Sequence, residues 1–201
     1  LEEIVKEAKD IKRVEITGCY THFATADEID SKHYKMQKER YEKMLQHLST
    51  IYPEPLITHI GNSAAGIQYP DHMLHYTRFG ISIYGLYPSK EIKALKKVDL
   101  KQAFSLYSEL IQVKKVKAGE FIGYGATYVA KEDEWIGTVP IGYGDGWRRE
   151  LTGFYVLIDG KKMPIVGRIC MDVMMVKLDQ PYEVGKKVTL IGKSKDAFIE
   201  I

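Results

Sequence analysis

Four short segments of the chain concentrate polar and aromatic side chains, some of them beside glycine, and they contain His22, Ser63, Arg78 and Tyr124. A hydroxyl and the backbone amides around a glycine suit an anion, because they donate hydrogen bonds and let the chain approach it closely. A histidine or a tyrosine can move a proton, and an arginine is a donor that is always charged. Each residue alone is more simply explained as a core histidine, a helix cap, a surface ion pair or an amphipathic strand residue.

The first half of the chain alternates helical and strand-like patterns. An amphipathic stretch at Leu1–Lys9 and a strand-like run at Val14–Phe23 precede a helix that Asp30 or Ser31 can cap. The apolar stripe of this helix, with spacings of three and four, is made of Tyr34, Gln37, Tyr41, Met44, Leu45 and Leu48.

Two further strands are predicted at Leu56–Ile60 and Tyr76–Leu86. Strands separated by helices predict a parallel sheet, and α/β folds place their sites just beyond the carboxyl ends of such strands. We therefore expect His22, Ser63 and Arg78 near strand ends.

The second half of the chain has a different residue composition and is predicted to be all-β. Its short Val-, Ile-, Tyr- and Gly-rich segments are Ser105–Val113, Trp135–Ile141, Tyr155–Ile158 and Lys187–Ile191. Asp159-Gly160 between two such runs predicts a hairpin turn. The connection between the two halves is predicted at residues 90–101.

Composition excludes several function classes. The 29 basic and 27 acidic residues are interspersed, which argues against a nucleic-acid partner. No apolar run approaches the roughly 20 residues that span a bilayer, so we expect no membrane partner and a cytoplasmic location. Cys19 and Cys170 are expected to be free thiols. There is no metal-ligand spacing, and residues 142–146 lack the Lys-Ser/Thr of a P-loop.

Six segments in order carry a resemblance to a known family. They are Thr-His-Phe-Ala-Thr-Ala-Asp-Glu at 21–28, Asn-Ser-Ala-Ala at 62–65, Arg-Phe-Gly-Ile-Ser-Ile-Tyr-Gly-Leu at 78–86, Tyr-Gly-Ala-Thr-Tyr at 124–128, Gly-Tyr-Gly-Asp-Gly at 142–146 and Gly-Arg-Ile-Cys-Met-Asp at 167–172. Together they resemble alanine racemase over essentially the whole chain. The resemblance implies the later strands and helices of a (β/α)8 barrel at 1–98, followed by a β-rich C-terminal domain at 99–201 that is incomplete at its end.

The resemblance implies a cofactor, pyridoxal 5'-phosphate, and residues that hold it. Arg78 would donate to the pyridine nitrogen, while Asn62, Ser63, Gly80 and Ile81 would lie at the phosphate. Because a guanidinium keeps its proton, the ring nitrogen stays neutral, which limits transamination as a side reaction.

The resemblance also implies a two-base reaction that interconverts L-alanine and D-alanine through the cofactor's external aldimine, supplying D-alanine for peptidoglycan. Tyr124 would be one base. A free phenol has a pKa of about 10, so cationic neighbours must stabilise its phenolate. In the family a histidine and the arginine at the pyridine nitrogen do this, and they correspond to His22 and Arg78. Met171 and Tyr143 would border the substrate. Family members form homodimers in which the tyrosine base serves the partner's active site.

Four charged residues, Asp27, Arg149, Arg168 and Asp172, resemble the family's corridor for small amino acids, although exposed ion pairs explain them equally well. Cys170 borders the same site. The family's second base is a lysine in an early strand, and no segment here matches it. An early arginine and a late tyrosine of the family are also without counterparts. We therefore expect this polypeptide alone not to racemise alanine.

Two alternatives stay open at this point. One is another fold-type III enzyme of the same barrel class, a broad amino-acid racemase or an amino-acid decarboxylase. The other is a non-catalytic module that binds pyridoxal phosphate or a protein, which would account for the absent lysine.

Overall fold

A computed structural model describes all 201 residues of the chain. The chain divides into two compact units, Leu1–Ala103 and Phe104–Ile201. Unit 1 mixes helices with short parallel strands, and unit 2 is built from antiparallel strands. The predicted order, an α/β part followed by a β-rich part, is confirmed.

Unit 1 contains four helices and four short strands. In chain order they are α1 (Glu2–Asp10), β1 (Gly18–Tyr20), α2 (Lys32–Ile51), β2 (Ile57–His59), β3 (Gly61–Asn62), α3 (Ser63–Gln68), β4 (Thr77–Arg78) and α4 (Lys90–Ala94). The strands form two parallel pairs, β1 with β2 and β3 with β4. Parallel pairs connected by helices are the arrangement that the alternating pattern predicted, while the complete barrel stays a prediction.

The long helix α2 forms where the periodic apolar stripe predicted it. Ser31 caps it, because its hydroxyl oxygen accepts the Tyr34 backbone N–H at 3.4 Å. Tyr34, Tyr41 and Leu48 are buried along the stripe. Gln37 of the same stripe is polar and holds the loop after β1, since its amide nitrogen donates to the His22 carbonyl oxygen at 2.6 Å.

The predicted strand Tyr76–Leu86 is wrong beyond its first residues. Only Thr77–Arg78 is a strand, and a 3-10 turn follows at Ile81–Tyr84. The turn ends at Gly85, whose φ of 82° lies in the left-handed region. A Cβ there would also lie 2.1 Å from the Lys101 carbonyl oxygen, so this close approach needs glycine. The chain therefore turns immediately after Arg78 and leaves Ile81 exposed.

Unit 2 contains ten strands. They are β5 (Leu106–Glu109), β6 (Gln112–Val116), β7 (Phe121–Ile122), β8 (Tyr128–Val129), β9 (Glu134–Val139), β10 (Tyr155–Ile158), β11 (Lys161–Val166), β12 (Met174–Leu178), β13 (Lys187–Ser194) and β14 (Ala197–Ile199). Eight of them form one sheet in the order β14-β13-β10-β11-β12-β9-β6, with β5 also paired to β13. Strands β7 and β8 form a separate hairpin.

Two predicted features of unit 2 have different outcomes. The hairpin turn at Asp159-Gly160 is confirmed between β10 and β11, with φ values of 50° and 82°. The single strand predicted at Ser105–Val113 is wrong, because the chain changes partner at the fully buried Leu110: β5 pairs with β13, whereas β6 pairs with β9.

A buried carboxylate lies on β9. The side chain of Glu134 is 1% exposed, and its two oxygens accept from Lys177 Nζ at 2.9 Å and from the Tyr128 hydroxyl at 2.6 Å. Burial raises the pKa of Glu134, but these two hydrogen bonds outweigh it and hold the pKa below its usual value. Burial and the Glu134 carboxylate together raise the pKa of Tyr128 to about 12.

None of the helices is both long and apolar enough to cross a membrane.

Candidate active site

Unit 1 fixes an arginine at the end of a strand by bonding both terminal nitrogens of its guanidinium. Arg78 Nη1 donates to His59 Nδ1 and, at 3.4 Å, to the His59 carbonyl oxygen. Nη2 donates to the Thr21 carbonyl oxygen at 2.9 Å and to His22 Nδ1 at 3.2 Å. The guanidinium carbon also lies 5.2 Å from the centre of the Tyr20 ring, a cation–π distance.

These contacts determine the tautomer of both histidines. An arginine carries five N–H donors and no acceptor, so each Nδ1 that faces it must accept. In His22 and His59, Nδ1 is therefore the acceptor and Nε2 carries the ring hydrogen. His22 is exposed, which leaves its Nε2–H as a donor that points away from Arg78.

Ser63 and the turn after Arg78 provide donors for an anion. The buried Ser63 hydroxyl oxygen accepts the Gly80 backbone N–H at 2.9 Å, so its own hydrogen remains to donate. The Ile81 amide begins the 3-10 turn and has no acceptor inside it. Space is open beside Gly80, since a Cβ there would meet nothing within 4 Å. The Gly80 amide itself is already bonded to Ser63.

The side chain of Asn62 makes two hydrogen bonds that fix the backbone next to Ser63. Its side-chain oxygen caps α3 by accepting the Ala65 backbone N–H at 2.9 Å, and its nitrogen donates to the Phe23 carbonyl oxygen at 3.1 Å. Both polar atoms of the amide are thus engaged, and Asn62 helps to position its neighbour Ser63.

Unit 2 has a cleft of its own. The residues that line it are Tyr124, Tyr143, Arg149, Arg168, Cys170, Met171, Asp172 and Val173. Six of these eight are residues that the sequence singled out for the base, the substrate border and the corridor. The cleft has two guanidinium groups and one carboxylate, a balance that suits a small molecule with a carboxylate and an amino group.

Backbone conformation presents Tyr124 to solvent. It lies between Gly123 and Gly125, whose φ values of 78° and 75° are left-handed, and its side chain is 68% exposed. A Cβ at Gly123 would lie 3.1 Å from the Arg168 backbone nitrogen. The tyrosine turn therefore packs directly against the segment that carries Arg168.

Two loops at the cleft are joined by backbone hydrogen bonds. The Tyr143 N–H donates to the Cys170 carbonyl oxygen at 3.0 Å, and the Gly144 N–H donates to the Met171 carbonyl oxygen at 2.9 Å. Asp145 closes the first loop by accepting the Gly142 N–H at 3.0 Å. The position of the Met171 backbone thus depends on the loop that carries Tyr143.

The four corridor residues form no ion pair within the chain. Arg149 packs its guanidinium over the Tyr143 ring at 4.4 Å and donates from Nε to the Ile169 carbonyl oxygen at 3.3 Å. Arg168 and Asp172 are exposed in the cleft. Asp27 belongs to unit 1, where its carbonyl oxygen accepts from the Ser89 hydroxyl at 3.0 Å. The alternative interpretation as surface ion pairs has no support.

The structure adds two residues that sequence reasoning missed. His59 bonds Arg78, and Asp145 shapes the loop beside Met171. His59 could have been found by the rule that selected His22, because both lie at or just beyond the carboxyl end of a predicted strand. Asp145 lies in the Gly-Tyr-Gly-Asp-Gly segment, but its type indicated no role, since a single aspartate in a glycine-rich loop is common.

The chain matches known families along nearly its whole length. The family model described as "Alanine racemase, N-terminal domain" matches residues 1–88, and "Alanine racemase, C-terminal domain" matches residues 103–201. A curated alanine racemase of Anoxybacillus flavithermus is 54% identical over 186 residues, which are 92% of this chain and 48% of that protein.

Solved structures are similar as well. Alanine racemase from Bacillus anthracis with bound L-Ala-P superposes with a TM-score of 0.92 at 40% identity, covering 100% of this chain and 52% of that one. A histidine racemase from Leuconostoc mesenteroides has a TM-score of 0.84 at 29% identity, covering 99% of this chain and 53% of its own. The chain thus spans about half the length of the relatives it matches.

Proposed function

This chain belongs to the alanine racemase family, and on that premise we propose that the complete gene product interconverts L-alanine and D-alanine with pyridoxal phosphate. The single observation that carries the proposal is the guanidinium of Arg78, a permanent cation fixed at a strand end. We further propose a cytoplasmic homodimer that supplies D-alanine for peptidoglycan.

The donors of unit 1 fit this cofactor. Arg78 offers a cationic N–H to a ring nitrogen, while the Ser63 hydroxyl and the Ile81 amide offer neutral donors to a phosphate. When bound, the cofactor would supply an electron sink that makes the Cα hydrogen of an amino acid acidic. Because Arg78 does not give up its proton, it keeps that sink from becoming strong enough to favour transamination.

Tyr124 is proposed as the base that takes or returns a proton on one face of Cα. Racemisation needs a base on each face, and the other is expected to be the family's lysine, which has no counterpart among these residues. In the proposed dimer, Tyr124 of one protomer acts at the cofactor site that Arg78, Ser63 and Ile81 form in the other protomer. The Nε2–H that Arg78 imposes on His22 can then donate to the Tyr124 phenolate oxygen.

The cleft of unit 2 is proposed to receive the amino acid. The exposed guanidinium of Arg168 attracts the carboxylate of the amino acid, and the Asp172 carboxylate attracts the amino group of the same molecule. The backbone of Met171, which the loop at Tyr143 and Gly144 holds in place, is proposed to meet the substrate carboxylate.

The decisive test is Tyr124→Phe in the complete gene product. It should reduce racemisation in both directions by about 10²- to 10⁴-fold, the usual contribution of one proton-transfer group. Because the opposite base remains, exchange of the Cα hydrogen with deuterated solvent should continue for one enantiomer and stop for the other. A matched control is Tyr107→Phe, an exposed tyrosine on β5 whose ring stays in place under Lys187. Normal rates in both directions for Tyr124→Phe would refute its role.

A racemase for another amino acid is the second candidate, and the similarity to a histidine racemase favours it. Comparing Cα exchange for alanine, serine and histidine distinguishes the two. Release of CO₂ instead of exchange would indicate a decarboxylase.

A further inference from the structure

We propose that His59 is a positioning residue that orients the Arg78 guanidinium so that its Nε–H alone is left for the cofactor. The inference rests on the proposed function. It adds a second histidine to the site, one that acts through Arg78 rather than on the substrate.

Counting donors on Arg78 identifies the atom that is left. A guanidinium has five N–H groups, two on each Nη and one on Nε. His59 Nδ1 and the His59 carbonyl oxygen accept from Nη1, and the Thr21 carbonyl oxygen and His22 Nδ1 accept from Nη2. The chain provides four acceptors for the two Nη atoms and none for Nε. A planar guanidinium bonded at both Nη atoms has a fixed Nε–H direction.

His59 packs against two aromatic rings. It lies opposite Tyr20 in the register of β1 and β2, and the two rings stack 5.1 Å apart with an interplanar angle of 9°. The edge of the ring meets Tyr76 at 6.4 Å. Since Tyr20 also lies under the guanidinium of Arg78, the three groups form one packed unit.

Loss of the His59 acceptor would release one side of Arg78. Nη1 would keep only the carbonyl contact at 3.4 Å, which is too long to fix the group. Because Nη2 of the same guanidinium bonds His22, rotation of Arg78 would also disturb the histidine that is proposed to donate to Tyr124 of the partner protomer. One substitution should therefore alter both the cofactor's ring nitrogen and the proton-transfer chain.

Two substitutions separate hydrogen bonding from ring packing. His59→Phe keeps a ring that can stack on Tyr20 but has no acceptor. His59→Asn loses the ring but keeps an acceptor, because the asparagine side-chain oxygen occupies the place of Nδ1. The complete gene product is purified with and without cofactor. The measurements are the dissociation constant for pyridoxal phosphate, the absorption spectrum of the bound cofactor, and pyruvate formed per racemisation turnover.

We expect His59→Phe to lower kcat by about 10- to 100-fold, the effect of losing one hydrogen bond to a charged group. It should also shift the absorption maximum and raise the pyruvate ratio. His59→Asn should restore the spectrum and the ratio to those of the unmodified protein. If thermal denaturation shows that His59→Phe does not fold, His59→Gln replaces it, because its oxygen lies at the Nε2 position and cannot reach Arg78.

Two results would overturn the proposal. One is a His59→Phe protein with the unmodified spectrum and ratio, and the other is equal impairment of the phenylalanine and asparagine variants, which would assign the effect to ring packing. Absence of racemisation in the unmodified protein would refute the proposed function instead.

Discussion

Gly142 lies where the loop carrying Tyr143 touches the loop carrying Met171, and a single methyl group there should reduce catalysis. A Cβ on Gly142 would lie 2.3 Å from the Met171 carbonyl oxygen and 2.4 Å from that of Cys170. Both neighbours are backbone atoms that cannot rotate away. Gly142 has a φ of −143°, which any residue adopts, so the effect of Gly142→Ala is steric crowding rather than backbone strain.

The size of the effect follows from these distances. Ordinary contact begins near 3.4 Å, so the two loops must separate by about 1 Å. Separation weakens the hydrogen bonds at 3.0 and 2.9 Å that join Tyr143 to Cys170 and Gly144 to Met171. Crowding of this kind destabilises a protein by about 1–3 kcal/mol. A shift of about 1 Å in a group that positions substrate can cost about 100-fold in rate.

A graded control lies two residues further along the loop. A Cβ on Gly144 would lie 3.1 Å from the same Met171 carbonyl oxygen, which needs a shift of only a few tenths of an ångström. In the complete gene product we expect Gly142→Ala to lower the proposed kcat/KM for alanine about 100-fold and to lower the urea midpoint, whereas Gly144→Ala changes both little. A D-amino-acid oxidase assay measures the first quantity. Equal effects of the two variants would refute the reasoning, because the distances to Met171 would then not matter.

Two other variants test the buried ion pair and the proposed cofactor contact. Lys177→Met should lower the free energy of unfolding by about 3 kcal/mol at neutral pH, measured by urea denaturation, because the buried Glu134 then keeps only neutral partners, the Tyr128 hydroxyl and a backbone hydrogen bond at Lys131. Burial raises the pKa of Glu134, but its hydrogen bonds hold the pKa below the value in the unfolded chain. The ion pair therefore stabilises the folded state fully above about pH 5, and this stabilisation is lost as the pH falls through the lowered pKa. The difference between the two proteins should therefore shrink in acid, and a constant difference would contradict the assignment. Arg78→Glu in the complete gene product should raise pyruvate formed per racemisation turnover, measured with lactate dehydrogenase; unchanged racemisation without pyruvate would count against the proposed contact.

Local signals in the sequence predicted the elements that depend on local physics. The helix α2 followed from its apolar spacing and from Ser31, whose hydroxyl oxygen can satisfy an amide in the first turn. The β10–β11 turn followed from Asp159-Gly160, because that pair tolerates two left-handed residues. In both cases the residues that specify the element also lie within it.

Features that depend on distant contacts could not be predicted in this way. The apolar run after Arg78 has the composition of a strand, yet Gly85 must approach the Lys101 backbone, and the chain turns instead. Leu110 lies in an apolar run as well, but the partners of β5 and β6 decide where the strand breaks. His59 belongs to the same class, since its importance comes from an arginine 19 residues away.

The choice of arginine at position 78 follows from the number of acceptors around it. An ammonium group has three donors on one atom, so a lysine could not reach acceptors both just after β1 and on β2 and still hold one donor in a fixed direction. The guanidinium spreads its donors over three atoms in one plane, which lets His59 and His22 hold two of them. Its charge remains while its orientation is fixed, and both properties are needed for a donor that must never give up its proton. The tautomer of His22 follows from the same contact, because an imidazole that accepts from Arg78 at Nδ1 carries its hydrogen on Nε2 and can donate from there. Charge and proton transfer in the proposed site are therefore coupled through one side chain, and a change to any of the acceptors of Arg78 should affect both.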